Sequence, residues 1–318
     1  RRAGGAPINF VYHAAAMGAE GYAISAVGND PDGDEILREL NQNGIAHLIA
    51  RVPRPTGKVL VELKNGIPSY TIVEDVAWDY IPCERRALEI VHRADAVCYG
   101  TLASRTPVSR RSVVRLLEQA PSSALKFFDV NLRGRYYDAG LIREFLNYAD
   151  VFKINDDEIL TVRRLFSLAG SDEEVCRTLL AEYGLRYLIF TAGENYSVIY
   201  SPQARSYLPT PKVEVVDTVG AGDACLTQDV AQLRKVAVDQ RHPVQVRGQT
   251  LLCRVNGRHI PVDTDEAAGG KPSGDLHGVP SAPQCTVHIN SVGSDTQCFD
   301  TRCQQHRLVG VFHKSLSP

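Results

Sequence analysis

Residues 217–228 read DTVGAGDACLTQ, a polar, glycine-rich turn that runs into a helical stretch and carries a carboxylate, Asp223. Gly220, Ala221 and Gly222 are small enough to let backbone N–H groups point into open space. If a helix begins there, those donors and the helix dipole form an anion site. A carboxylate beside that site is repelled by the anion, so Asp223 is better suited to take a proton from an incoming hydroxyl than to hold phosphate. A base for the acceptor beside a cradle for moving charge is the layout of phosphoryl transfer to an alcohol. Taken alone, the stretch also reads as an ordinary glycine-rich turn with a capping aspartate.

Such residues need elements that bring them together. Residues 20–28, EGYAISAVG, read as a strand closed by a glycine turn. In the following DEILRELNQNG, Ile36, Leu37 and Leu40 have helical spacing and Gly44 ends the run. Over 57–74, Val59, Val61 and Leu63 alternate with polar neighbours, and Asn65-Gly66 is a hairpin signal. Strand-like runs at 94–100, 125–131, 149–155 and 185–191 then alternate with helical ones at 108–119, 139–148, 156–168 and 172–183. That alternation predicts an α/β fold with a parallel sheet and helices on both faces. Ligands of such sheets sit beyond the carboxyl ends of the strands. Gly100, Asp129 to Arg133, Asn155 to Glu158 and Thr191 to Glu194 all fall there.

The 318-residue chain carries 35 basic and 37 acidic residues, net −2, with no long basic run. That argues against nucleic acid as a partner, which needs clustered Lys and Arg. No apolar stretch reaches the roughly eighteen residues of a membrane span. The N-terminal RRAGGAPINFVYHAAAMG lacks a clean apolar core, against a signal peptide; the missing initiator Met points to a processed chain or a fragment. Cys83, Cys98 and Cys176 are scattered singly, as in a reduced cytoplasmic protein. Cys298, Cys303, His288 and His306 lie near one another, but without C-x-x-C spacing unrelated residues are favoured over zinc.

Six motifs occur in order: GGAPINF (4–10), VGNDPDG (27–33), DVNLR (129–133), NDDE (155–158), TAGE (191–194) and DTVGAGD (217–223). On these the chain resembles the ribokinase-like (PfkB) sugar kinases over about residues 3–224. With PTGKVLVEL and EDVAWDYIP, it is most similar to bacterial fructokinases. The resemblance implies a three-layer α/β/α sandwich with a mostly parallel sheet and a small β-lid within about 45–80. It implies ATP-dependent phosphorylation of a sugar hydroxyl, fructose to fructose 6-phosphate, with ATP and Mg²⁺ as cofactors and K⁺ as a further candidate. By the same resemblance Asp223 is the general base, and the backbone of Gly220, Ala221 and Gly222 the anion hole. Gly4, Gly5 and Asn9 meet the sugar, Asp30 and Gly33 form a turn near it, and Arg133 faces phosphates or substrate. Asn155 and Glu158 organise Mg²⁺ through its waters, and Thr191, Gly193 and Glu194 line the nucleotide site. The lid excludes water and pairs subunits in family dimers. Outside that context, Asn9 reads as a helix cap, Arg133 as a surface charge, Glu158 as a solvated helix residue, and Trp78 and His13 as packing. Ribokinase, 2-keto-3-deoxygluconate kinase and nucleoside kinase stay open, as does a catalytically impaired fragment that only binds sugar.

Two departures stand out. The family's opening strand, with its sugar-binding Asp, is absent, so the sheet is expected to be one strand short. After Ala224 the texture changes: all 13 Tyr and the single Trp precede it, and of the eight Cys, five (225, 253, 285, 298, 303) follow it. Residues 227–240 still allow a helix; beyond Pro243 no period of 3.6 or 2 is evident, and 225–318 reads as an atypical tail, disordered or frame-shifted. Our hypothesis is a reading-frame shift near codon 225, with a genuine extension as the alternative. Translation of the coding DNA in the other two frames is expected to restore a helix-rich continuation after Asp223; if neither frame does, the hypothesis fails.

Overall fold

The strand–helix alternation read from sequence is realised almost element by element. The computed structural model describes residues 6–16, 19–64, 67–210, 251–255, 258–262 and 309–314. In chain order these form α1 (Ala6–Ala16), β1 (Ala19–Gly28), α2 (Pro31–Gln42), β2 (Ala46–Val52), β3 (Val59–Lys64), β4 (Ile67–Ile72), α3 (Arg85–Val91), β5 (Ala96–Gly100), α4 (Pro107–Gln119), β6 (Leu125–Asp129) and α5 (Ala139–Leu146). There follow β7 (Val151–Asn155), α6 (Asp156–Phe166), α7 (Asp172–Glu182), β8 (Tyr187–Ala192), β9 (Tyr196–Tyr200), β10 (Arg205–Pro209), β11 (Leu251–Val255), β12 (Arg258–Val262) and β13 (Val309–Lys314). Two compact units result: residues 1–230 with 294–318, and residues 231–293, where β11 and β12 pair antiparallel.

Among the described residues the main sheet runs β10-β9-β8-β7-β6-β5-β13-β1-β2. Strands β5 to β8 are mutually parallel, as are β1 and β2. Because β13 is antiparallel to both β1 and β5, those two point the same way. The carboxyl ends of β1, β2, β5, β6, β7 and β8 therefore share one edge of the sheet, and ligand chemistry belongs at that edge.

Residue alternation decides which face each side chain covers. Val97, Tyr99, Phe128, Phe152, Ile154, Leu188 and Phe190 pack on one face, together with buried residues of α3 to α7. Their neighbours Ala96, Cys98, Phe127, Val151 and Ile189 pack on the other with α1 and α2. At the centre of the first face Phe128 stacks on Tyr99 (5.4 Å between centroids, 9° between planes) and meets Phe145 edge-on (5.6 Å, 89°). The Tyr99 hydroxyl donates to the Phe145 carbonyl (2.9 Å), and burial holds its pKa well above the ordinary value.

Three features differ from the sequence reading. Strand β2 lies in the main sheet beside β1, so the separate hairpin is confined to β3 and β4. The hairpin β9–β10 extends the far edge antiparallel, and every residue of β10 is exposed. Strands also occur beyond Pro243, and β13 occupies the place between β1 and β5. Segments of five or six residues carry too few repeats to register a period, and their state is set by sheet partners distant in sequence. The stretch 227–240 lies outside the described residues.

Phe128→Ala is expected to lower stability by about 3–5 kcal/mol, the usual range for a fully buried aromatic, measured by urea unfolding. Val311→Pro removes a ladder N–H from a central strand and is expected to lower the midpoint markedly. An unchanged midpoint would place 309–314 outside the sheet.

Candidate active site

The site is assembled from short turns that follow each parallel strand. At the end of β1, Asp30 caps α2: Gly33 N–H donates to its Oδ1 (2.8 Å), with Pro31 preset for the first helical turn. The same carboxylate accepts the Thr56 N–H (2.7 Å) and the Thr56 hydroxyl (2.5 Å), and that hydroxyl accepts the Gly28 N–H (2.9 Å). Asp30 thus ties the β1–α2 turn to the segment leading into the hairpin. A Cβ on Gly33 would stand 2.6 Å from the Gly28 carbonyl oxygen, so only glycine lets the turn close. Burial alone would raise the Asp30 carboxyl; its bonds from Thr56 and Gly33 outweigh that and hold it below the ordinary 3.8.

At the ends of β6 and β7 the residues interlock. Cross-strand pairing sets Gly100 beside Asp129 and Asn155 beside Thr191. Asn155 caps α6, accepting the Glu158 N–H at 2.7 Å. Glu158 in turn accepts the Asn155 N–H on one oxygen (3.0 Å) and the Leu132 N–H on the other (3.0 Å). It is 6% exposed, so it is not the solvated helix residue that its position alone suggested. Burial raises its pKa; Lys153 pulls it back and Asp129 pushes it further up. Lys153 Nζ lies 3.3 Å from Asp129 Oδ1, both side chains below 10% exposed. Asn131, between them in sequence, takes φ 36°, a left-handed conformation that is unfavourable by about 1 kcal/mol or more away from glycine.

The other predicted residues fall as follows. Arg133 is exposed and donates to the adjacent Leu132 carbonyl (2.9 Å). Thr191 is half-buried near the end of β8, and Gly193, at φ 50°, and Glu194 are exposed in the turn into β9. Asn9 is half-buried within α1 and is no cap. His13 is half-buried, its pKa lowered by desolvation, and Trp78 is wholly in the core. Gly4, Gly5, Gly220, Ala221, Gly222 and Asp223 lie outside the described residues, as do His288, Cys298, Cys303 and His306. Among the described residues no His/Cys/Asp/Glu group has metal-site geometry, and no helix is long and apolar enough to cross a membrane. Sequence reading missed Thr56 and Lys153. Thr56 lies in the run PTGKVLVEL, which says nothing of its bonds to Asp30; a lysine inside the apolar run VFKIN was a signal.

These donor sets suit a hydrated divalent cation better than a stripped one. Both Glu158 oxygens and Asn155 Oδ1 already accept backbone N–H groups, which leaves spare lone pairs for water. Asp129 Oδ1 is buried and ion-paired with Lys153 Nζ, which adds a second carboxylate at the same place.

A mostly parallel sheet between two helical layers, with polar turns gathered at one edge, is the ribokinase-like fold. Residues 1–226 match the pfkB family carbohydrate kinase, and the chain belongs to that family. It is 29% identical over 229 residues to the uncharacterized sugar kinase PH1459 of Pyrococcus horikoshii, spanning 70% of each chain. Fructokinase-2 of Oryza sativa subsp. japonica is 28% identical over 233 residues, 70% of this chain and 68% of that one. The structure of PH1459 in complex with ATP is 26% identical, with a TM-score of 0.58 over 73% of this chain and 75% of the other.

Asp30→Ala is expected to cost about 1–3 kcal/mol at neutral pH, by loss of a cap and of the Thr56 bonds. Because the folded pKa is depressed, this stability is fully present above the unfolded value of 3.8 and is lost as pH falls through the lower folded value. Urea titrations at several pH values should show the gap between wild type and variant closing below that point.

Proposed function

We propose that the chain transfers the γ-phosphoryl group of ATP to a sugar hydroxyl, with fructose giving fructose 6-phosphate. The observation that carries this reading is the convergence of Asp129, Asn155, Glu158 and Thr191 at one sheet edge, in a chain whose residues 1–226 match sugar kinases. Relatives named fructokinase favour the acceptor. Asp223 takes the proton of the attacking hydroxyl, the new O–P bond forms, the β,γ-bridging bond breaks, and ADP leaves. The N–H groups of Gly220, Ala221 and Gly222 hold the charge of the moving group in fixed positions. Asn155 and Glu158 would hold the waters of Mg²⁺, which when bound neutralises phosphate charge. Thr191, Gly193 and Glu194 line the nucleotide side, and Arg133 faces phosphates. Gly4, Gly5 and Asn9 meet the sugar. Asp30 and Gly33 act on it through the turn they build, since the Asp30 carboxylate is engaged by Thr56 and Gly33. The hairpin β3–β4 covers the acceptor and limits hydrolysis. A cytoplasmic location, a K⁺ requirement and a dimer formed through the hairpin belong to the same reading.

The test is ADP release with Mg-ATP and fructose, ribose or 2-keto-3-deoxygluconate. Fructose should give the highest kcat/KM, and Asp223→Asn should lose about 10²–10⁴-fold, the usual share of a general base. Sugar-independent release, or a fully active variant, contradicts the reading. Thermal stabilisation by fructose without turnover marks the alternative, a fragment that only binds sugar.

A further inference from the structure

Among the described residues the hairpin β3–β4 has no strand partner in the main sheet, so something at its root must fix where it stands. One guanidinium meets that need. Arg105, just beyond β5, donates from Nε and Nη2 to the two oxygens of Asp79 (2.6 and 2.7 Å) and again from Nη2 to the Val73 carbonyl (2.7 Å), directly after β4. Its side chain is 4% exposed and that of Asp79 1%. Asp79 is itself held in register, accepting the Val76 N–H at 3.1 Å. The guanidinium lies 4.7 Å from the ring centre of Tyr136, in the loop after β6, and the Tyr136 hydroxyl donates to the Ile72 carbonyl, the last residue of β4 (3.1 Å). Val73 N–H in turn donates to the Lys58 carbonyl across the root (3.1 Å). A Cβ on Gly57 would overlap the Trp78 ring at 2.1 Å, so only glycine lets the backbone pack this close to the indole. Arg105 therefore joins the hairpin root to the carboxyl ends of β5 and β6. Its Nη1 is buried and has no hydrogen-bond partner among the described residues, so the fork is one acceptor short.

We infer that Arg105 is a positioning residue that sets where the β3–β4 hairpin stands relative to the carboxyl ends of β5 and β6. Lysine cannot replace it, because a point charge cannot serve both Asp79 oxygens and the Val73 carbonyl from one plane. The consequence for acceptor binding rests on the kinase reading; the mechanical claim does not.

The experiment is amide hydrogen exchange on the full chain, comparing wild type with Arg105→Gln, Arg105→Lys and Tyr136→Phe. Both Arg105 variants should speed exchange across 59–64 and 67–73 by about tenfold or more, a local opening, while β5 to β8 stay unchanged. Tyr136→Phe removes only a hydroxyl and should give a smaller rise confined to the same residues. It decides the matter if the Arg105 variants do not fold. In sugar-dependent turnover, Arg105→Lys should raise KM for the sugar far more than it lowers kcat. Unchanged hairpin exchange, or an equal rise in hairpin and sheet, overturns the inference. If wild type shows no sugar-dependent turnover, the kinase reading fails and the exchange pattern still decides the role of Arg105.

Discussion

Two backbone N–H groups, those of Leu132 and Asn155, converge on the buried carboxylate of Glu158, and the paths of the chain beyond β6 and β7 depend on that grip. Parallel strands β6 and β7 deliver their carboxyl ends side by side, but nothing in a sheet dictates the path of the loops beyond. Glu158 supplies the constraint. It closes a capping box with Asn155 on one side and pins the β6 loop on the other. Its removal would orphan two donors at once, a penalty of about 1–3 kcal/mol each where they are buried.

That grip carries an electrostatic cost. Burial raises the Glu158 pKa, and a second carboxylate, Asp129, lies close enough to push it further up. Lys153 offsets part of this from the neighbouring strand, 3.3 Å from Asp129. Two acids and one base leave the cluster with an excess of negative character, which suits a place where a hydrated cation is to be received. The local backbone is constrained to match: Thr101 Oγ1 donates to the Val130 carbonyl at 2.8 Å, and the strained Asn131 sits between that bond and the Leu132 bond to Glu158. Residues in unfavourable conformations persist where their surroundings over-determine them, and functional sites are where this occurs.

Most of the architecture was legible because it rests on local period. Helices α4 to α7 and strands β5 to β8 were bounded to within a few residues, since strand-like apolar runs alternating with helical ones are written in the sequence. The long-range features were not. That β2 joins the sheet beside β1, that β13 lies between β1 and β5, and that Arg105 reaches the hairpin root are decided by partners tens to hundreds of residues away. Site roles were legible only in part. Asp30 could be named from the VGNDPDG motif, but its engagement with Thr56 could not, because the two stand 26 residues apart and neither run says which groups meet.

The most direct test of the central claim, that these strand ends support phosphoryl transfer to a sugar, is ³¹P NMR of the full chain with fructose and Mg-ATP. The account predicts a new phosphomonoester resonance coupled to the C6 protons, growing in step with ADP. Inorganic phosphate alone would show a site that hydrolyses ATP without delivering it to an acceptor, and would contradict the account.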